Sequence, residues 1–398
     1  DNSGLDDITL GLYASGYTPK NGEPNKKGGV INVNAKSVVV DVNSKTWAYG
    51  LYSQNKSTTA DSDFSTININ ADDIYINAST TGAREDGYEA NAMVVQSQGV
   101  MNINGNLEAH ATTNVISARG HGVLRINEDG LHSTKLYGNI DFNYDKKTSG
   151  TVADATVIIN LSGKDSIWVG NSSTSYGSGR PAAESYLGVT GLQVALQNGA
   201  VWEPTIVNEA DYDQTDHVAY TPLNLLALND GTINIKNAGQ TVKVQNLKGS
   251  GGTINVAAEA ENGAITSVGK LSIGQVAEDS AVNLAVNATG INADDVSDAG
   301  AAMAAVQDAV QVSSGKAESV TSAIAEGAVK GAIQQTVNAD GTVSAVRQEE
   351  NTKLASLGSL GVVGLLAWRH ETNDLTKRMG ELRDSPEGIG GWVRLYGS

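Results

Sequence analysis

Apolar and polar residues alternate along most of the first 290 positions of the chain. Valine and isoleucine take every second position, with asparagine or threonine between them, in segments such as 30–34 (VINVN), 66–70 (TININ), 101–104 (MNIN) and 232–235 (TINI). Period-two alternation places the aliphatic side chains on one face of a β-strand and the polar side chains on the other. Glycine, asparagine and aspartate separate the segments, as turns require. The pattern predicts an all-β region.

These strands recur in a longer repeat of about forty residues. Segments 10–15, 49–54 and 92–97 are analogous, and 29–42 aligns with 65–77 as two strands split by a short turn. A three-strand unit cannot bury its apolar face alone, so successive units must stack. We therefore predict a right-handed parallel β-helix, a solenoid. A β-propeller is the rival fold, but it needs four strands in each blade and aromatic signatures that these repeats lack.

Two segments interrupt the rhythm and are predicted to be loops that leave the repeat. Residues 171–186 are rich in serine and glycine, and residues 203–222 are acidic. Aromatic side chains suit exposed recognition because the ring stacks while its polar group forms hydrogen bonds. The alternative is that these rings only cover the flanks of the fold. The candidate ligand-binding residues in or beside the two loops are Tyr176, Tyr186, Trp202, Tyr212 and Tyr220.

After residue 290 the composition changes and helices are predicted. Alanine-rich stretches at 299–312 and 317–329 favour two helices, and 334–346 favours a hairpin with Asp340-Gly341 at its turn. A longer helical stretch extends to about residue 383, and an alternating strand follows it. The predicted units are a β-rich region at 1–290, a cap region at 291–348, a helix at 349–385 and a single strand at 386–398.

Charge and composition exclude several classes of protein. The chain has 27 Lys and Arg against 44 Asp and Glu, a net charge of −17, and no basic cluster, so nucleic-acid binding is not expected. The sequence has no run of about 18 apolar residues, so no membrane-spanning helix is predicted. The absence of cysteine excludes disulfides and thiolate metal sites, and it fits export through an oxidising compartment or is without meaning. We expect a monomer, with self-association as the alternative.

The common hydrolase motifs are absent. The sequence has no G-x-S-x-G elbow, no H-E-x-x-H zinc helix and no serine-protease signature, so we expect no enzyme of those kinds. Three histidines are spaced by eleven residues, which does not match the repeat, so we interpret them as turn or surface residues rather than metal ligands. They are His110, His121 and His132.

Carboxylates offer two weaker kinds of site. Asp211, Asp213 and Asp216 present oxygens that suit Ca²⁺, although the glycine and glutamate of an EF-hand loop are missing. The same three aspartates, Asp41 and the Asp72-Asp73 pair are candidates for the carboxylates of a polysaccharide lyase or hydrolase. Aspartates in turns more often cap the backbone, so catalysis is the alternative rather than the first hypothesis.

The C-terminal residues carry a resemblance to a known family. Residues 367–383 (AWRHETNDLTKRMGELR) resemble the junction that precedes the β-barrel of Gram-negative autotransporters, the type Va secretion systems. Residues 387–397 (EGIGGWVRLYG) are similar to the first barrel strand of that family, with its W-x-R pattern. The positions that would form this translocation and barrel junction are Trp368, Asn373, Leu375, Arg378, Met379, Gly380, Trp392, Arg394 and Gly397.

The resemblance implies where the protein is and what it does. Residues 1–290 and 291–348 would be a passenger displayed at the cell surface, 349–385 the linker and pore helix, and 386–398 the start of the barrel in the outer membrane. From spacing alone, 349–385 also fits a solvated amphipathic helix. The implied partners are its own barrel, the outer-membrane assembly machinery, and a host glycan or protein. The implied function is adhesion through loops, with an exported polysaccharide lyase or hydrolase as the alternative.

Overall fold

The computed structural model of the chain is mostly β, with 66% of the described residues in strands and 7% in helices. Structure is described for nine ranges: residues 8–16, 28–55, 64–82, 88–144, 155–176, 191–205, 218–220, 223–353 and 365–370. Side chains are described over the same ranges except at 143–144, 174–176 and 218–220.

Strands fill the N-terminal part of the chain. They are β1 (Ile8–Gly16), β2 (Val30–Ser44), β3 (Trp47–Asn55), β4 (Ser65–Thr80), β5 (Ala90–Ser97), β6 (Gly99–Arg119), β7 (Val123–Ile126), β8 (Thr134–Tyr144), β9 (Thr156–Ser162), β10 (Ile167–Val169), β11 (Ser172–Tyr176), β12 (Leu192–Gln197), β13 (Val201–Glu203), β14 (Val218–Tyr220) and β15 (Leu223–Ile235). Several of these strands are far longer than the segments that the alternation predicts.

The C-terminal part adds strands and the described helical elements. The strands are β16 (Thr241–Glu261), β17 (Ala264–Val268), β18 (Lys270–Val276), β19 (Asn283–Thr289), β20 (Val310–Ser314), β21 (Ser319–Ile324), β22 (Ile333–Asn338) and β23 (Arg347–Gln348). A 3₁₀ turn at Ala293–Asp295 precedes helix α1 (Ala299–Gln307). Residues 365–370 are also helical. In these ranges, no helix has the length and apolar character that crossing a membrane requires.

Most strands pair in parallel with a strand from the next repeat. In β2 and β4, Val30 lies opposite Thr66 and the register continues without a shift to Ser44 opposite Thr80. The same kind of pairing joins β4 to β6 and β6 to β8. Because the register is nearly constant, residues of the same type meet across neighbouring strands and form rows perpendicular to the chain direction.

The core contains the alternate aliphatic positions of these strands. Ile67, Ile69, Ile74 and Ile76 of β4 are each at most 2% exposed. Thr66, Asn68, Asn70, Tyr75 and Asn77, which flank them along the strand, point the other way, since successive side chains of a strand alternate between faces. Burial of a branched aliphatic side chain contributes about 1.5–3 kcal/mol, so the repeated rows account for the stability of a fold with few aromatic residues.

The predicted right-handed β-helix is wrong. The structure has a closed barrel of eight parallel strands together with further sheet strands. The turns predicted inside 29–42 and 65–77 do not divide them into separate strands, because Val30–Ser44 and Ser65–Thr80 each run as one strand. At the predicted place in the second segment there is a bulge in the pairing with β6, with Asp72 and Asp73 both exposed. Alternation determines which side chains face the core, but many curved parallel sheets satisfy the same alternation. Closure depends on strand tilt and stagger, which the repeat length does not specify.

The cap region agrees with the sequence only in part. The first alanine-rich helix is present but shorter than predicted, ending at Gln307. The second, at 317–329, is wrong, since Ser319–Ile324 is a strand paired in parallel with β19. Its alternation (SVTSAI) and the open edge of β19 outweigh the helix propensity of alanine. The predicted hairpin turn is confirmed: Asn338 N donates to Thr342 O at 3.0 Å.

Candidate ligand-binding site on the outer face

Three aromatic side chains form a row on the outer face of neighbouring strands. Tyr75 lies on β4, His110 on β6 and Tyr137 on β8, and we call these three residues the aromatic row. The His110 ring stacks on the Tyr137 ring with centroids 4.5 Å apart and planes 10° apart. The Tyr75 ring lies 5.9 Å from His110, tilted by 43°. Tyr75 is 37% exposed, so the row presents ring surface to solvent.

The pleat and the register place this row. Ala109 and Leu136 are fully buried, and the residues that follow them, His110 and Tyr137, therefore point outward. His110 lies directly opposite Tyr137 in the parallel pairing of β6 and β8. Directly opposed aromatic side chains on adjacent strands contact each other, which adds about 0.2–1 kcal/mol relative to alanine pairs.

A charged group is held beside the row. The Glu108 carboxylate accepts a hydrogen bond from His110 Nε2 at 2.9 Å, and Lys135 Nζ lies 3.5 Å from its other oxygen. The hydrogen bond from His110 holds the pKa of Glu108 below its ordinary value of 4.5; burial opposes this, and the Lys135 charge adds to it. Glu108 is therefore ionised at neutral pH and remains an acceptor for an incoming donor.

An open groove of about 500 Å³ lies beside these residues. It is lined by Ser37, Asp73, Ile74, Tyr75, Asn106, Leu107, Glu108, Ser133, Lys135 and Asp165. The lining groups hold one another: Asn106 Nδ2 donates to Asp73 Oδ1 at 3.4 Å, and Ser133 Oγ donates to Asn106 Oδ1 at 3.2 Å. Because these contacts fix the polar groups before a ligand arrives, binding costs little ordering of side chains.

The groove and the row together offer aromatic surface and hydrogen-bonding groups, which suit a sugar ring. A sugar ring has apolar C–H faces that pack on aromatic rings, and hydroxyls that both donate and accept hydrogen bonds. The groove carries three carboxylates (Asp73, Glu108 and Asp165) and one ammonium group (Lys135). This balance disfavours anions such as phosphate, sulfate and acidic sugars.

The sequence-predicted binding residues do not form this site. Trp202 is only 2% exposed and belongs to the core, so the interpretation of Trp202 as a surface contact is wrong. Tyr176 and Tyr220 end strands β11 and β14, and their side chains are outside the described residues. Tyr186, Tyr212 and the calcium candidates Asp211, Asp213 and Asp216 lie outside the described ranges.

The two predicted loops are nevertheless brought together. Strand β11 and strand β14, one at each interruption, pair in antiparallel fashion with Ser173 opposite Tyr220. The prediction that 171–186 and 203–222 are loops throughout is therefore wrong at 172–176 and 218–220.

Some of the remaining predicted positions lie within the described residues and others lie outside them. Asp73 lines the groove, and Asp41 Oδ1 accepts from Asn77 Nδ2 at 2.9 Å. Trp368 lies in the helical residues 365–370 and is 64% exposed. The other junction positions are outside the described residues: Asn373, Leu375, Arg378, Met379, Gly380, Trp392, Arg394 and Gly397. In the described part of the chain, no group of three or more His, Asp or Glu side chains is placed to hold a metal ion.

Sequence reasoning missed the aromatic row because its spacing is irregular. In register, 33 residues separate Asn77 from His110 and 27 separate His110 from Tyr137, against 36 for Val30 and Thr66. The signal that was present is the outward parity of Tyr75 in the alternating segment 74–77 (IYIN).

Comparison with known proteins identifies no relative. No family model, no curated protein and no solved structure matches the chain.

Proposed function

We propose that the chain is the exported passenger of an autotransporter and acts as an adhesin that binds a glycan through the aromatic row and its groove. The observation that carries the binding function is the stacked, part-exposed pair of His110 and Tyr137 beside a groove of fixed hydrogen-bonding groups. The export function rests on the resemblance of residues 367–397 to the barrel junction of that family.

Adhesion through the outer face of the sheet differs from adhesion through loops. The row and most of the groove lie on strands β4, β6 and β8, whose inward residues are buried, so the binding groups are held by a rigid support. A rigid, pre-organised surface gains affinity because little conformational entropy is lost on binding. The paired strands β11 and β14 are an additional contact surface in this proposal.

The second candidate is a polysaccharide hydrolase or lyase, favoured by the three carboxylates in the groove. A retaining or inverting glycosidase needs one carboxylic acid whose pKa is raised, so that it can protonate the leaving group. The pKa of Glu108 is shifted the other way, which suits a fixed acceptor and not a general acid. We therefore place binding before catalysis.

Binding of neutral oligosaccharides to the purified chain tests this proposal. Tyr75→Ala, which removes an exposed ring from the row, should weaken binding about tenfold. Phe64→Ala is the matched control, because Phe64 is a 49% exposed ring immediately before the same strand and does not line the groove. Equal loss in both variants, or no binding by the unaltered chain, would refute glycan recognition by the row. Release of reducing ends or unsaturated products would favour the enzyme instead.

Export is tested on cells that express the parent gene. Added protease should remove the passenger from intact cells, and deletion of residues 349–398 should leave it inaccessible. A periplasmic protein would resist protease in both cases, and that result would overturn the autotransporter assignment.

A further inference from the structure

A polar surface shares strands β4 and β6 with the aromatic row and extends to β2. Strands β2, β4 and β6 each carry two outward asparagines separated by one buried or half-buried aliphatic residue. We call these six residues the asparagine grid: Asn32, Asn34, Asn68, Asn70, Asn102 and Asn104. Asn32 lies opposite Asn68, which lies opposite Asn102, and the second row has the same register. Its spacing is about 4.8 Å across strands and about 6.7 Å along them.

The amides of the grid are linked in one direction. Asn68 Nδ2 donates to Asn32 Oδ1 at 2.7 Å, and Asn102 Nδ2 donates to Asn68 Oδ1 at 2.8 Å. In the second row, Asn104 Nδ2 donates to Asn70 Oδ1 at 3.4 Å. An amide has two N–H donors and two acceptor lone pairs. Asn68, inside its row, therefore keeps one N–H and one lone pair beyond these two ladder bonds.

Buried isoleucines alternate with the asparagines and anchor the backbone that carries the grid. Ile67, Ile69 and Ile103 alternate with the asparagines and are at most 2% exposed. The links between amides also fix the side-chain torsions, so the hydrogen-bonding groups keep their spacing before any ligand binds. Such pre-organisation is what a weakly binding polar surface needs in order to bind at all.

An open groove of about 480 Å³ lies over the grid. At one end it includes Arg125, Glu128 and Asp129, and Arg125 Nη1 donates to Asn102 Oδ1 at 3.5 Å. Two carboxylates against one guanidinium give no attraction for a polyanion. The surface matches a neutral ligand whose groups both donate and accept, in a repeat that follows the strands.

The grid and the aromatic row are separate surfaces. The pairing of β4 with β6 shifts register between Asn70 and Asp73, and such irregularities bend a strand. Gly105 lies at this bend with φ +146°, where a Cβ would come 1.9 Å from Ala71 O. The buried Asn127 side chain bonds both the N–H and the carbonyl of Gly105 at 2.9 Å. The bend is thus built into the fold.

We propose that the asparagine grid binds a neutral polysaccharide chain lying across the strands, with hydroxyls of successive sugars meeting successive asparagines. This inference rests on the proposed glycan binding and deepens it, because it makes the ligand a polymer rather than a short terminal glycan. The aromatic row offers three rings at unequal spacing, which suits one or a few sugars. The grid offers two rows of three amides in constant register, which suits a repeating chain. Each unit adds a weak contact, and affinity rises with length.

A purely structural ladder is the competing explanation, and the chain contains its own control for it. Asn234, Asn255 and Asn287 form a second ladder, with amide hydrogen bonds of 2.8 and 3.1 Å. On the same face, the residues two positions earlier are Thr232, Thr253 and Ala285, so this ladder has no second row of amides. Replacing its central residue, Asn255, removes two amide–amide hydrogen bonds of the same kind and leaves the asparagine grid intact.

The experiment measures binding of the full chain to soluble neutral polysaccharides (dextran, a mixed-linkage glucan and a galactomannan) and to matched oligosaccharides. Asn68→Ala is expected to weaken polymer binding about tenfold, the equivalent of one to two lost hydrogen bonds. Asn255→Ala is expected to leave polymer binding unchanged. Its melting temperature should fall by about as much as that of Asn68→Ala, because each variant loses two ladder hydrogen bonds. Asn70→Ala, which loses only the longest ladder bond, is the second grid variant in case Asn68→Ala folds poorly.

The outcomes separate this inference from the proposed function. If Asn68→Ala, Asn70→Ala and Asn255→Ala all bind the polymers like the unaltered chain, the grid is structural only and the inference is overturned. If oligosaccharides bind through the row and no polymer binds more tightly than they do, the inference fails and the proposed function stands. If neither polymers nor oligosaccharides bind, both fail.

Discussion

Two aromatic stacks lie on neighbouring strands, one inside the sheet and one outside. Trp168 of β10 and Trp202 of β13 stack with centroids 5.0 Å apart and planes 5° apart, and both are at most 2% exposed. His110 and Tyr137 stack almost as closely, at 4.5 Å and 10°, but on the outer face. Both pairs arise because equivalent positions meet in register on parallel strands.

A shift of one residue separates the two stacks. In the pairing of β8 with β10, Leu136 lies opposite Trp168 and Tyr137 lies opposite Val169. Because the pleat alternates, the first pair faces the core and the second faces solvent. Nearly the same ring geometry therefore serves stability at one position and is available to a ligand at the next.

Polar partners differ as well. The indole N–H groups of Trp168 and Trp202 donate to Gly138 O at 3.1 Å and Gly170 O at 3.0 Å. Gly170 is required there, since at φ +154° a Cβ would come 2.1 Å from Gly138 O. In the inner stack, backbone carbonyls accept the hydrogen bonds of both indole N–H groups. In the outer stack, His110 bonds the Glu108 side chain and ring surface remains exposed.

Truncation of the inner stack gives the largest expected effect. Trp202→Ala removes a buried indole and leaves a cavity, so the free energy of unfolding should fall by about 3–5 kcal/mol. Urea unfolding followed by far-ultraviolet circular dichroism measures this. Oligosaccharide binding at the aromatic row should stay within a factor of two. An unchanged unfolding midpoint would show that the inner stack does not carry the stability assigned to it.

A subtler change in the inner stack isolates its hydrogen bond. Trp202→Phe keeps an aromatic ring but leaves Gly170 O without its buried donor, which costs about 1–3 kcal/mol. The same unfolding experiment should place this variant between the unaltered chain and Trp202→Ala. If Trp202→Phe is as unstable as Trp202→Ala, packing alone determines the effect and the indole N–H contributes nothing.

The outer stack should respond in the opposite way. Tyr137→Ala removes one ring of the aromatic row, so oligosaccharide binding should weaken about tenfold, or about 1.4 kcal/mol. Its free energy of unfolding should change by less than about 1 kcal/mol, because a part-exposed cross-strand pair contributes only that much. Calorimetric titration and urea unfolding on the same preparation measure both. A large loss of stability with unchanged binding would reverse the roles assigned to the two stacks.

The smallest effect concerns pH and belongs to the outer face. Since the pKa of Glu108 is below its ordinary value of 4.5, the stability from its ionised form is complete above pH 4.5 and is lost as pH falls through the lower folded value. Glu108→Gln lacks this term, so its melting temperature should fall slightly less between pH 6 and pH 3.

Glu128→Gln is the matched control for that measurement. Glu128 is a surface carboxylate paired with Arg125 at 3.7 Å, without a histidine partner. Identical acid profiles for Glu108→Gln and the unaltered chain would refute the stabilising role of the His110 hydrogen bond.

Part of the fold follows directly from sequence. Alignment of 29–42 with 65–77 agrees with the observed register, in which Val30 lies opposite Thr66. Segments 10–15 and 49–54 are likewise in register, with Leu10 opposite Tyr49. Segment 92–97 is offset by one position, since Tyr49 lies opposite Asn91. Near-identical neighbouring repeats constrain register, and the constraint weakens as the repeats diverge.

The burial of Trp202 could not be predicted from the sequence. Trp202 has the same residue type and flanking loop that an exposed contact would have, and only its register with Trp168 places it in the core. The aromatic row was not predicted at all, because residues 27 and 33 positions apart cannot be paired without knowing where each strand begins.

The sequence by itself determined the strand-rich composition, the inward and outward parity of residues such as Ile67 and Asn68, and the register of the most similar repeats. These are local properties, set by alternation over a few residues. Only the tertiary structure decided how the sheet closes, that 319–324 is a strand, and which outward residues become neighbours. Those depend on tilt, bends and the edges that each strand finds, which are properties of the assembled sheet and not of any segment.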